Sequence, residues 1–114
     1  VSLEPDSTLS FAARAALDGA GVTNVKTVST SLDQGWPDAA PYDLIFLNGG
    51  AEILPEAWFA QLAPGGRLGV IFRDKAAGSA RIYTKAKDVS AFHVAFDAAP
   101  PIAPGLRKPP AFVF

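Results

Sequence analysis

The run Leu44–Leu47 places four large apolar side chains in succession directly after Asp43. A continuous apolar run this short suits a strand buried on both faces, the usual state of a parallel sheet with helices packed against it. The remaining segments fit that frame. Val1–Glu4 is a second short apolar run, and Pro5 stops it because proline has no N–H for a ladder. Asp6 and Ser7 are good N-caps. Leu9, Ala13, Ala16 and Leu17 then recur at helical spacing in an alanine-rich stretch that Gly19 and Gly21 end.

Val25–Val28 reads as a strand and Ser29–Pro41 as a loop. Asn48-Gly49-Gly50 is expected to break the strand that begins at Leu44. Pro55 is expected to open a helix with Trp58, Phe59 and Leu62 on its apolar face, and Pro64-Gly65-Gly66 to close it. Arg67–Phe72 reads as a further strand, and Arg81–Thr84 and Phe92–Phe96 as a strand pair. Pro100–Pro110 reads as an extended, proline-rich strap and Ala111–Phe114 as a short apolar end. Strands alternating with helices predict βαβ units in an α/β fold, with a mostly parallel sheet and antiparallel strands at its C-terminal edge.

Composition narrows the function. A chain of 114 residues is one domain at most. Apolar residues at 49% against 18% charged exclude a disordered chain. A net charge of −1 gives no basic field for nucleic acid, so none is expected as a partner. The sequence holds no cysteine, which excludes disulfides, thiolate metal sites and a cysteine nucleophile. Its single histidine, His93, excludes paired-histidine zinc motifs, and no metal is expected. No apolar run approaches the ~18 residues of a membrane span, and the first residues do not read as a signal peptide, so a cytoplasmic location is expected. The chain contains no methionine and opens on Val1 inside a strand-like run; truncation or processing is the expected origin of that start.

Two places carry candidate chemistry. Glu4 sits at the carboxyl end of a predicted strand, where open α/β sheets bind their ligands. Its two oxygens suit the two hydroxyls of a ribose, although a solvated acid or a helix N-terminal charge reads equally well from the residues alone. Asn48-Gly49 follows the buried strand; glycine lets a backbone approach a ligand and Asn48 offers donor and acceptor, while a strand-to-helix turn that binds nothing is the alternative. Leu62-Ala63-Pro64-Gly65-Gly66-Arg67-Leu68 is read as a structural turn. Trp36 and Trp58 are read as packing residues, His93 as an edge residue, and Lys85 and Lys87 as solvated edge charges.

Glu4-Pro5-Asp6, Gly35-Trp36-Pro37, Ala40-Pro41-Tyr42-Asp43, Ile53-Leu54-Pro55 and the Leu62–Leu68 phrase occur in the order and spacing of class I S-adenosylmethionine-dependent methyltransferases. Their combination resembles the protein-L-isoaspartate O-methyltransferase family over residues 1–97, matching the C-terminal half of that family's pattern. The resemblance implies a Rossmann-like methyltransferase sheet that lacks its first strand and glycine-rich loop. It implies that Glu4 holds the cofactor ribose, that Pro5 packs near the adenine, and that Asn48 and Gly49 lie near the reacting centre. Thr30-Ser31-Leu32 stands where the family carries an acid for the adenine amino group, which leaves Ser31 and Leu32 as the candidate contacts. The implied cofactor is S-adenosyl-L-methionine and the implied partner an isoaspartyl peptide or protein, repaired by methylation of its damaged aspartyl carboxylate. No catalytic residue is assigned.

The same resemblance makes residues 1–114 the C-terminal part of a single domain, 1–97 family-like and 98–114 a strap. It predicts a gap between the strands Val1–Glu4 and Leu44–Leu47, to be filled by upstream residues or by a second chain. The chain by itself is expected to be inactive. A second reading is a non-catalytic, methyltransferase-like binding or scaffold module, motivated by Thr30-Ser31-Leu32 and the proline-rich end. A nucleotide-binding domain of another class is disfavoured by the Leu62–Leu68 phrase and by the lack of a phosphate-binding loop.

Overall fold

A computed structural model describes residues 1–74, 76–87 and 89–109. The elements run β1 (Ser2–Glu4), α1 (Ser7–Gly19), β2 (Thr27–Ser29), a 3-10 turn (Pro37–Ala39), β3 (Tyr42–Ala51), α2 (Glu56–Ala60), β4 (Leu62–Asp74), β5 (Ala77–Ala86) and β6 (Val89–Asp97). This is the expected α/β order. Ala111–Phe114 and Pro110 lie outside the described residues.

The strands form two sheets. β1 and β2 pair in parallel, Leu3 opposite Val28. β3 and β4 pair in parallel, Ile45 opposite Leu68, and β4, β5 and β6 continue as an antiparallel meander. Among the described residues no backbone hydrogen bond joins β1 to β3. The expected gap is therefore present. The radius of gyration, 15.2 Å, exceeds the about 13 Å of a compact chain of this size, as a divided sheet requires.

Local chemistry explains each element. Asp6 caps α1, its carboxylate accepting from the N–H groups of Thr8 and Leu9 at 2.8 and 3.0 Å. Arg14 ties the helix to the chain that follows it, donating to the Val25 carbonyl at 2.6 Å and pairing with Asp18 at 2.6 Å. The core lies on one face of the larger sheet. There Trp58 of α2, Leu62, Leu68, Val70, Tyr83 and Leu106 are buried together. Among the described residues the opposite face is bare: Leu44, Phe46 and Phe96 are 61%, 71% and 60% exposed.

Four expectations are corrected. Asn48-Gly49-Gly50 does not end β3; the strand passes through it with a register shift between Phe46 and Gly50, because the glycines absorb the irregularity. Pro55 is the N-cap of α2 rather than its first residue, and the helix ends at Ala60. Leu62 and Pro64-Gly65-Gly66 belong to β4, where Gly66 passes close enough to the Ala63 and Tyr42 carbonyls to leave no room for a Cβ. Lys85 is not a free edge charge: its ammonium donates to the carbonyls of Phe59 and Leu62, both at 2.9 Å, and satisfies the frayed end of α2.

The strap is seated as well. Gly50 donates to the Pro101 carbonyl at 2.9 Å and accepts from the Ala103 N–H at 2.8 Å. A Cβ on Gly50 would meet the Pro100 and Pro101 carbonyls at 3.0 and 3.2 Å, so glycine is what admits the strap. Arg73 donates to the Pro100 carbonyl at 2.9 Å, and Leu106, fully buried, accepts from the N–H groups of Glu52 and Ile53 through its carbonyl.

Candidate active site

A cavity of about 470 Å³ opens between β1 and β3, in the gap between the sheets, and is bounded as well by the loop after β2 at Leu32, Gly35 and Trp36. Glu4, Pro5, Leu32 and Asn48 line it, so four of the six residues singled out from the sequence come together. Gly49 lines, with Asn48, a neighbouring cavity of about 360 Å³ on the bare face. Ser31 is exposed, and its hydroxyl bonds the Asp33 carboxylate.

Glu4 is aimed by its neighbours. One carboxylate oxygen accepts from the Asp6 N–H at 3.0 Å, while the Glu4 carbonyl accepts from the Thr30 N–H at 3.3 Å. A carboxylate has acceptor sites beyond one hydrogen bond, so Glu4 retains capacity for ligand hydroxyls. Gly49 has φ near +148°, a conformation that glycine adopts without strain.

The loop after β2 is held by Gln61, which the sequence reading passed over, and by Trp58 and Tyr42, whose hydrogen-bonding parts it did not assign. The Gln61 side chain accepts from the Trp36 N–H at 3.0 Å and donates to the Gln34 carbonyl at 2.8 Å. The Trp58 indole donates to the Leu32 carbonyl at 2.8 Å, and the Tyr42 hydroxyl donates to the Trp36 carbonyl. Burial, then the charge of Asp38, pushes the Tyr42 phenol up, which keeps its proton in place for that bond. These three side chains lie on α2, its C-cap and β3, so they clasp the β1–α1–β2 unit to the larger sheet. A polar glutamine immediately before the apolar Leu62 was the one available signal.

Hydrogen bonds from Ser31 and then Gln34 hold the Asp33 carboxyl below its ordinary value of 3.8. A depressed carboxyl contributes order above its unfolded value and loses it as pH falls through its folded value. The Gly35 and Trp36 amide resonances are therefore expected to stay fixed from neutral pH down to the carboxylate range and to shift only below it. In Ser31→Ala the shift moves up toward 3.8; an NMR titration reads both.

The family described as Protein-L-isoaspartate(D-aspartate) O-methyltransferase matches residues 1–95. A protein-L-isoaspartate O-methyltransferase of Trichlorobacter lovleyi is 43% identical over 60 residues, which are 53% of this chain and 28% of that protein. A solved protein-L-isoaspartate O-methyltransferase superposes with a TM-score of 0.85 at 28% identity, over 91% of this chain and 33% of the other. A Plasmodium falciparum structure, titled as a putative enzyme of this kind in complex with S-adenosyl-L-homocysteine, shares the fold at TM-score 0.74 and 18% identity. The chain spans about a third or less of the first two proteins' length.

Proposed function

Because the chain belongs to the protein-L-isoaspartate(D-aspartate) O-methyltransferase family, we propose that it forms the adenosine side of an S-adenosylmethionine-dependent methyltransferase acting on isoaspartyl residues of peptides or proteins. The observation that carries this reading is the convergence of Glu4, Pro5, Leu32 and Asn48 on one cavity between β1 and β3. The residues present fit the adenosyl part of such a cofactor: an aimed carboxylate for hydroxyls, apolar walls for a base, and a side-chain amide with donor and acceptor.

When bound, the sulfonium supplies an activated methyl group, so the protein's part is chiefly to position and orient. Glu4 accepts from the ribose hydroxyls. Pro5 and Leu32 exclude water from the adenine faces, and Ser31, tied to Asp33, stands at the outer edge of that pocket. Asn48 and Gly49 shape the rim nearest the reacting centre, where Gly49 keeps the backbone low. Residues 1–97 carry this site, and the described part of the strap, residues 98–109, crosses its end. Alone, the 114 residues are expected not to transfer methyl groups.

Among the described residues no helix is long and apolar enough to cross a membrane. We place the protein in the cytoplasm; fractionation of cells expressing a tagged chain tests it. A binding module without catalysis is the second reading, favoured by Ser31, whose hydroxyl is already engaged by Asp33.

The test is calorimetry with S-adenosylmethionine on a chimera joining residues 1–114 to the preceding part of the T. lovleyi relative. Binding is expected, weakened about ten- to hundredfold in Glu4→Ala through loss of charged hydrogen bonds. A chimera that binds nothing overturns the reading. Equal affinity in Glu4→Ala overturns the role of that residue.

A further inference from the structure

We propose that Gln61 is a positioning residue for the cofactor: its side-chain amide fixes the loop that walls the cavity, so affinity for the adenosyl group is set from the end of α2. The inference rests on the reading that this cavity takes S-adenosylmethionine.

Leu32, Gly35 and Trp36 line the cavity together with Glu4, Pro5 and Asn48. Between Leu32 and Trp36 the chain has no helix or strand to hold its shape. A turn closes it, the Gly35 N–H donating to the Leu32 carbonyl at 3.1 Å. The Gln61 amide then straddles Gly35. Its oxygen accepts from the Trp36 N–H at 3.0 Å, and its nitrogen donates to the Gln34 carbonyl at 2.8 Å. Those are the two bonds that one residue of a parallel neighbouring strand would make, so a side chain gives this irregular segment a regular partner.

The fit is tight on both sides. Gly35 has φ near +61°, and a Cβ on it would collide with the Gln61 oxygen, so glycine is what admits the amide. Gln61 is 9% exposed. Its backbone is held at both ends: its N–H donates to the Ala57 carbonyl at 3.1 Å, and its carbonyl accepts from the Tyr42 N–H at 2.8 Å. A buried amide in a fixed place is a template, and a loop already held in shape costs a ligand less to engage. Both polar atoms of the side chain have partners in the loop, so Gln61 acts on a ligand through Leu32 and Trp36. Only a group that donates and accepts at once can do this. Methionine is similar in length and does neither. A carboxylate accepts but cannot donate, whereas a neutral carboxylic acid does both again.

The experiment is calorimetry with S-adenosylhomocysteine on the chimera carrying the preceding part of the T. lovleyi relative, as parent, Gln61→Met and Gln61→Glu. Gln61→Met is expected to bind about ten- to thirtyfold more weakly at every pH, because the Trp36 N–H and the Gln34 carbonyl lose their partner. Gln61→Glu is expected to be as weak at about pH 8 and to recover toward the parent as pH falls to about 5. Burial beside a carbonyl favours the neutral form of the introduced carboxyl and so raises its pKa. Asp33, Asp38, Tyr42, Lys26 and Lys85 are the titratable groups around the clasp, and Glu4 lines the same cavity. Each affinity is therefore taken relative to the parent at the same pH. A glutamine with a structural role alone gives no such recovery. Equal affinity of the parent and Gln61→Met, or no recovery in Gln61→Glu, overturns the inference. The Val70 and Tyr83 amides are expected to keep their resonances in both variants; their loss in both makes Gln61 a residue of the fold and overturns it as well. A parent chimera that binds nothing overturns the functional reading and this inference with it, whereas a parent that binds no better than Gln61→Met overturns this inference alone.

Discussion

Trp58→Ala is expected to unfold the chain or bring it to the edge of unfolding. The side chain is 4% exposed and central to the core, and truncating a buried tryptophan costs about 3–5 kcal/mol. Small domains have only about 5–15 kcal/mol to lose, and this one leaves a whole sheet face bare. The indole also holds the Leu32 carbonyl from the other side of the gap. Trp58→Phe retains most of the packing and loses that bond, so it separates the two contributions. Urea unfolding of both variants gives the measurement: a large loss for alanine and about 1–3 kcal/mol for phenylalanine are expected. Equal stability of Trp58→Ala and the parent would remove the core assigned here.

Leu106→Ala is expected to cost about 2–5 kcal/mol and to release the strap. Leu106 is fully buried although it lies in a segment without helix or strand, between Gly105 and the exposed Arg107. Its side chain belongs to the buried core cluster, and its carbonyl accepts from the N–H groups of Glu52 and Ile53. Once the side chain is truncated, the bonds of Gly50 to Pro101 and Ala103 lose their anchor. Faster amide exchange at Gly50 and Ala103, with Tyr83 and Val70 unaffected, is the expected pattern. A strap that stays protected in Leu106→Ala would mean that its backbone bonds suffice.

The contrast between these two residues shows what a sequence can carry. Trp58 announced itself as packing, because it stands among apolar residues at helical spacing. Leu106 lies among Pro104, Gly105, Arg107 and Lys108, and no periodicity marks it, since its burial depends on joining a core built by residues distant in sequence. Element order was readable for the same reason that Trp58 was: apolar period is local. The passage of β3 through Asn48-Gly49-Gly50 was not, because the strap and β4 hold those glycines extended against their own turn preference. In the site, Glu4 was legible from its place after a strand. Gln61 was not, because its partners Gln34 and Trp36 are more than twenty residues away in sequence.

The clasp has a further consequence for how the chain comes apart. β1, α1 and β2 contact mainly one another, whereas β3 to β6 share a continuous ladder and the buried core. Among the described residues, the hydrogen-bonded ties between these two bodies run through the loop at Leu32–Trp36. Such a body opens as its own cooperative unit, at a free energy below that of the whole. The chain accordingly has a two-tier melting order: residues 1–30 surrender their protection first, while the sheet of β3 to β6 persists as the last structured remnant.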